Sequence, residues 1–157
     1  SGGMLRRVGI AQALLADPKV IIVDEPTAGL DPEERARLRN LLAELAMERV
    51  VLLSTHIVSD IESVAGDIAV VAGGRLLRRG TPEELLAAVA GQVWEVLVGT
   101  QEVAEVQARH VVSRMVRTPE GVRVRLLSPF RPYEGAVQRM PDLEDAYLAT
   151  VGAGGVR

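Results

Sequence analysis

Val20-Ile21-Ile22-Val23 runs directly into Asp24-Glu25 and then Pro26. An unbroken apolar run of this length is the pattern of a buried parallel strand. Ligands of open α/β sheets gather at the carboxyl ends of such strands. Two carboxylates at that edge are costly to keep unless something cationic or reactive meets them. Neighbouring side chains on a strand diverge, so one acid can face a metal while the other faces an attacking water. That division of labour suits phosphoryl transfer. Alone, the run is equally a strand followed by an acidic turn. A second apolar run, Val50-Val51-Leu52-Leu53, ends in Ser54-Thr55-His56. Strand ends of one parallel sheet share an edge, so His56 can reach the same phosphate. His110, at the head of another apolar strand, is read as structural.

The elements that must position these residues are legible in the same way. Ser1 can cap a helix whose apolar positions are Leu5, Val8, Ala11, Leu14 and Leu15, and Asp17-Pro18 stops it. Asp31 reads as an N-cap, with Pro32 at the first helical position and Leu38, Leu41, Leu42 and Leu45 as the apolar stripe. Residues around 58–65 are expected to be helical. Ile68 to Ala72 and Arg75 to Arg79, around Gly73-Gly74, form a hairpin. Thr81-Pro82-Glu83-Glu84 is a capping box opening a helix to about Val89. Strand and helix alternate to about residue 90, which predicts a parallel α/β sheet. After Gly91 the order becomes β-α-β-β-α: strands at 93–98, 111–117 and 122–128, a helix at 101–109 and a last helix from Asp142 to Thr150. The expected organisation is therefore 1–91, a second α+β domain at 92–150, and a flexible tail at 151–157.

The chain has 157 residues, 48% of them hydrophobic and only 3% aromatic, so its cores are built from Val, Leu, Ile and Ala. A net charge of −3 gives no electrostatic case for nucleic acid. Arg75, Arg78 and Arg79 are read as a solvated face. There is no cysteine, which excludes disulfides and thiolate metal sites and suits a cytosolic setting. The single lysine, Lys19, precedes the first strand, and the phosphate-cradling pattern G-x-x-x-x-G-K-[ST] is absent.

Ser1-Gly2-Gly3-Met4, the strand ending at Asp24-Glu25, Ala28-Gly29-Leu30-Asp31 and Ser54-Thr55-His56 resemble, in order and spacing, the nucleotide-binding domain of ABC transporters. They match its signature motif, Walker B, D-loop and H-loop, and the resemblance covers residues 1 to about 90. It implies a partial P-loop NTPase core of parallel sheet without the Walker A half, followed by a small α+β accessory domain. Asp24 would hold Mg²⁺, Glu25 would polarise the attacking water, and His56 would contact the γ-phosphate of ATP. Asp31 would line a dimer interface. Ser1, Gly2 and Gly3 would bind the γ-phosphate of ATP held on the opposite subunit, where a hydroxyl, glycine amides and a helix N-terminus form an anion site.

The chain departs from that pattern at Met4, where the family has glutamine, and the family's leucine before the serine is not present. The Walker A loop, the adenine-stacking aromatic and the Q-loop glutamine would all precede Ser1. The expectation is a truncated piece that binds ATP weakly or not at all by itself. Leu143-Glu144-Asp145-Ala146-Tyr147-Leu148 resembles the closing helix of the drug and polysaccharide exporter (ABC-2 type) branch. The implied protein is an export ATPase subunit on the inner face of the cell membrane, working as a dimer with a membrane-spanning permease. Two alternatives stand beside it. A non-transport ABC ATPase of DNA repair or translation would bring long heptad coiled coils or strongly basic segments, and neither occurs. A non-catalytic dimerising or regulatory piece would show no turnover.

Overall fold

The computed structural model describes residues 2–153 and the side chains of residues 8–152. They divide into two compact units, residues 1–64 and 65–157. This division falls earlier than the change of pattern near Gly91 on which the sequence boundary was drawn. Strands and helices are mixed in small sheets, so the fold is α/β.

In the first unit, α1 (Gly2–Leu14) leads to β1 (Val20–Asp24), α2 (Pro32–Ala46) and β2 (Val50–Ser54). Asp17, at φ +44°, ends the first helical segment in the left-handed conformation common after helix C-termini, and its N–H bonds back to the Leu14 carbonyl at 3.0 Å. β1 and β2 pair in parallel, with Val20 opposite Val50 and Asp24 opposite Ser54. Ile10, Leu38 and Leu42 form the core, with Leu14, Val23, Leu30, Val51 and Leu53 packed on it. The face of α1 turned inward is thus the one carrying Ile10, while Val8 and Leu15 are exposed. Pairing among the described residues stops at these two parallel strands. Only one face of the pair is covered: Ile22 is 73% and Leu52 59% exposed, against the expectation of strands buried on both sides.

The helix expected around 58–65 is a single 3₁₀ turn, Val58–Asp60, followed by further turns. β-branched Ile57, Val58, Ile61 and Val64 favour helix weakly.

The second unit begins with the hairpin β3 (Ile68–Ala72) and β4 (Arg75–Gly80), closed by Gly73 and Gly74 at φ +56° and +71°. A positive φ at both central residues is what a tight hairpin turn matching strand twist demands. The helix α3 (Pro82–Ala87) opens on the full Thr81/Glu84 capping box. Then come β5 (Val93–Val98), α4 (Val103–Arg109), β6 (Val111–Thr118), β7 (Gly121–Leu127), β8 (Val137–Gln138) and α5 (Leu143–Ala153). β8 was not foreseen, and α5 continues into the residues expected to be tail.

The antiparallel sheet has the order β6-β7-β5-β8. Its core is Val96, Val106, Val122, Val124, Leu126 and Ala136, with Trp94 and Tyr133 against it. α5 packs on β3, β4, α3, β6 and β7, which draws the hairpin and α3 into this unit. No described helix is long and apolar enough to cross a membrane.

Candidate functional site

Parallel register brings the ends of β1 and β2 together. Asp24 and Ser54 are partners in the ladder, and the Ser54 hydroxyl donates to Asp24 Oδ1. One residue further, the Glu25 N–H donates to the Ser54 carbonyl at 2.9 Å. Glu25 then leaves the strand with φ +45°, a left-handed backbone that costs a residue with a Cβ about 1–3 kcal/mol. This departure turns the Glu25 side chain across to the segment after β2. Its Oε1 accepts the His56 N–H at 3.0 Å and lies 2.7 Å from His56 Nδ1.

In the tautomer with its proton on Nδ1 the ring donates to Glu25 Oε1, and Nε2 of the exposed ring is left without a partner among the described residues. The second Glu25 oxygen, Oε2, is buried and has no hydrogen-bond partner among the described residues. A buried carboxylate oxygen left without a donor is expensive.

The predicted residues fall into three groups. Asp24, Glu25 and His56 are assembled at one edge, as their sequence context required. Asp31 lies at the far end of the loop that follows, and its Oδ1 accepts the Glu34 N–H at 2.8 Å, capping α2. Gly29, at φ +74°, turns the loop into that cap. Asp31→Ala should cost the first unit about 1 kcal/mol, while Asp31→Asn leaves the cap nearly intact; urea denaturation of both variants reads the difference. Gly2 and Gly3 form the first turn of α1, and Ser1 lies outside the described residues.

Sequence reasoning gave Ser54 no role of its own. Its signal was available, since two apolar runs ending at Asp24 and Ser54 pair end to end once taken as parallel neighbours. Thr27, Asp60 and Arg35 were missed, and nothing local points to them.

The donor set fits a magnesium nucleotide. Mg²⁺ is commonly held by one or two carboxylates, with waters and substrate phosphates completing its octahedron. Asp24 supplies one such carboxylate at an exposed strand end. No group of three or more His, Asp or Glu side chains among the described residues forms a self-sufficient cage.

Comparison with known proteins points to a family. The family model described as ABC transporter matches residues 1–28. Nod factor export ATP-binding protein I of Rhizobium etli is 35% identical over 97% of this chain and 51% of its own length. The Rhizobium meliloti protein of the same name is 37% identical over 97% of this chain and 48% of its own. The chain belongs to the ABC transporter family. An uncharacterized ABC transporter ATP-binding protein of Nostoc sp. is 42% identical over 62% of the chain. The chain spans about half the length of the curated ABC transporter relatives it matches over nearly its whole length.

Proposed function

We propose that this chain carries the hydrolytic side of an ATP-hydrolysing ABC exporter subunit. The observation that carries the reading is the Glu25–His56 pair at the ends of two adjacent parallel strands. The names of the relatives, which speak of export ATP-binding proteins, support it.

Oε1 of Glu25 holds the His56 ring and backbone, and the Glu25 carboxylate takes a proton from the attacking water as general base. His56, fixed through Nδ1, presents Nε2 toward the terminal phosphate and donates to it when the ring is protonated. Asp24 is the carboxylate that would hold Mg²⁺, oriented by the Ser54 hydroxyl. Bound Mg²⁺ supplies charge neutralisation on the phosphate oxygens.

The phosphate-cradling loop is not among these 157 residues, so in this reading it comes from outside them. Ser1, Gly2 and Gly3 then serve ATP on an opposing subunit, and Asp31 borders that interface. The sheet of the first unit is part of a P-loop NTPase core, and residues 92–150 form an accessory domain. The partners are a second ATPase subunit and a membrane-spanning permease, which places the protein peripherally on the inner membrane face.

The test is Mg²⁺-dependent ATP turnover by the protein as its gene encodes it, with and without any multi-span membrane protein that is found to copurify with it. Turnover abolished by EDTA and raised several-fold by the membrane partner is expected. No turnover in either state overturns the reading.

A further inference from the structure

The loop Pro26–Asp31 has a second attachment that the hydrolytic chemistry does not use. Thr27, 1% exposed, donates its hydroxyl to Oδ2 of Asp60, which is also 1% exposed. Asp60 closes the 3₁₀ turn Val58–Asp60 that follows His56, with its own N–H bonded to the Ile57 carbonyl at 3.0 Å. Its other oxygen, Oδ1, stands 3.7 Å from Nε of Arg35 on α2, and neither atom has a hydrogen-bond partner among the described residues. Arg39, one turn further along α2, donates to the Ser59 carbonyl at 3.0 Å.

A carboxylate sealed from water is a poor device for stability alone. Well-packed apolar residues of similar volume fill such a space as well or better. A reason for Asp60 lies in what it joins. Beyond the strand ends, where Asp24 and Glu25 bond to Ser54, the segments that carry Glu25 and His56 are joined by Glu25 to His56 and, further out, by Thr27 to Asp60. The outer bond fixes the orientation of the loop, which the strand-end bonds leave free. Misplacing a reacting group by about 1 Å can cost on the order of 100-fold in rate.

The geometry points to Asp60 as a positioning residue: through Thr27 it fixes the loop after β1 against the histidine-bearing segment, so that the Glu25 carboxylate and the His56 ring are presented together. The inference rests on the hydrolytic reading given above. Asp60 touches neither nucleotide nor metal and acts only through Thr27.

The test compares Asp60→Ala, Asp60→Asn, Thr27→Val and the Thr27→Val/Asp60→Ala double variant, in the protein as its gene encodes it, with Glu25→Gln as control. Asp60→Ala and Thr27→Val should each lower kcat by about 10- to 100-fold with KM for ATP within twofold of wild type. Asp60→Asn keeps an oxygen that accepts from Thr27 and should retain at least about a third of kcat, a rescue that a purely electrostatic role would not show. The double variant should be no slower than the slower single one, because both remove the same tie. NMR resonances of the His56 ring should move in Asp60→Ala and Thr27→Val and stay in place in Asp60→Asn.

Thr27→Val is nearly isosteric, so it decides the matter if Asp60→Ala does not fold. A Thr27→Val variant with wild-type kcat and an unmoved His56 ring overturns the inference, as do single effects that multiply in the double variant. The control separates the two levels. Full turnover in Glu25→Gln sinks the hydrolytic reading, whereas loss of turnover there with an unaffected Thr27→Val sinks only the role of Asp60.

Discussion

Glu25→Gln should reduce ATP turnover by about 10²- to 10⁴-fold, the range general-base groups contribute, while nucleotide affinity and melting temperature stay near wild type. Glutamine has almost the shape of glutamate, and its amide oxygen can still accept the His56 N–H that now goes to Oε1 at 3.0 Å. What disappears is the basic carboxylate. The substitution therefore removes a proton acceptor while keeping the contact that holds the histidine. Single-turnover hydrolysis and equilibrium nucleotide binding, measured on the same preparation, separate these effects. Turnover within twofold of wild type would take Glu25 out of the role of base. A collapse in affinity alongside turnover would instead make it a structural support of the strand end.

The second large effect belongs to the other unit. Asp145, fully buried in the first turn of α5, accepts Arg125 Nη2 at 2.6 Å, the Ser113 hydroxyl at 2.6 Å and the Asp142 N–H at 3.0 Å. Asp142 returns the last bond by accepting the Asp145 N–H at 3.0 Å. Arg125 also donates to the Met140 carbonyl at 2.6 Å. These bonds tie the start of α5 to β6 and β7.

Removing one partner of a buried, hydrogen-bonded ion pair leaves the other charge uncompensated, which costs about 3–5 kcal/mol. Asp145→Ala should show that loss in urea denaturation followed by the single tryptophan. Trp94 reports this unit, with its indole N–H bonded to the Ser128 carbonyl at 3.0 Å. A loss below about 1 kcal/mol would mean the network is not holding the helix.

The same residue sets a pH dependence. Burial pushes the Asp145 carboxyl upward, but the Arg125 guanidinium, the Ser113 hydroxyl and the Asp142 N–H together outweigh it and hold the group below its ordinary value. A carboxylate depressed in the folded state contributes its full stabilisation above the unfolded value of about 3.9. That contribution shrinks as pH falls through this value toward the lower folded one. Wild-type stability should therefore decline with acidity below about pH 4, and Asp145→Asn should lose this component of the slope.

How much of this was legible in the sequence depended on how far each signal reached along the chain. The caps at Asp31 and Thr81 are local, because the residues that exchange the bonds are three apart, and both were read correctly. Asp24, Glu25 and His56 were legible because apolar runs ending in polar residues mark strand ends. Their meeting needed only the assumption of parallel pairing. The Thr27–Asp60 bond spans 33 positions and joins two residues with no distinctive context, so no pattern announced it. The helix expected near 58–65 shrank to one 3₁₀ turn, where Ile57, Val58, Ile61 and Val64 are weak helix formers. The apolar runs at 20–23 and 50–53 announced strands correctly, but the burial on both faces that they also predicted was not found. Ile22 and Leu52 proved exposed while Ile21 is buried. β8 is two residues long, too short for any alternation to register.

The left-handed backbone of Glu25 bears on any attempt to engineer this protein. A selection for heat resistance alone would favour glycine or asparagine at position 25, because either residue adopts φ +45° more readily than glutamate. Every such winner would lack the carboxylate. Thermostabilising campaigns should hold this position fixed and draw their gains from the exposed sites of the second unit, where durability and chemistry do not compete.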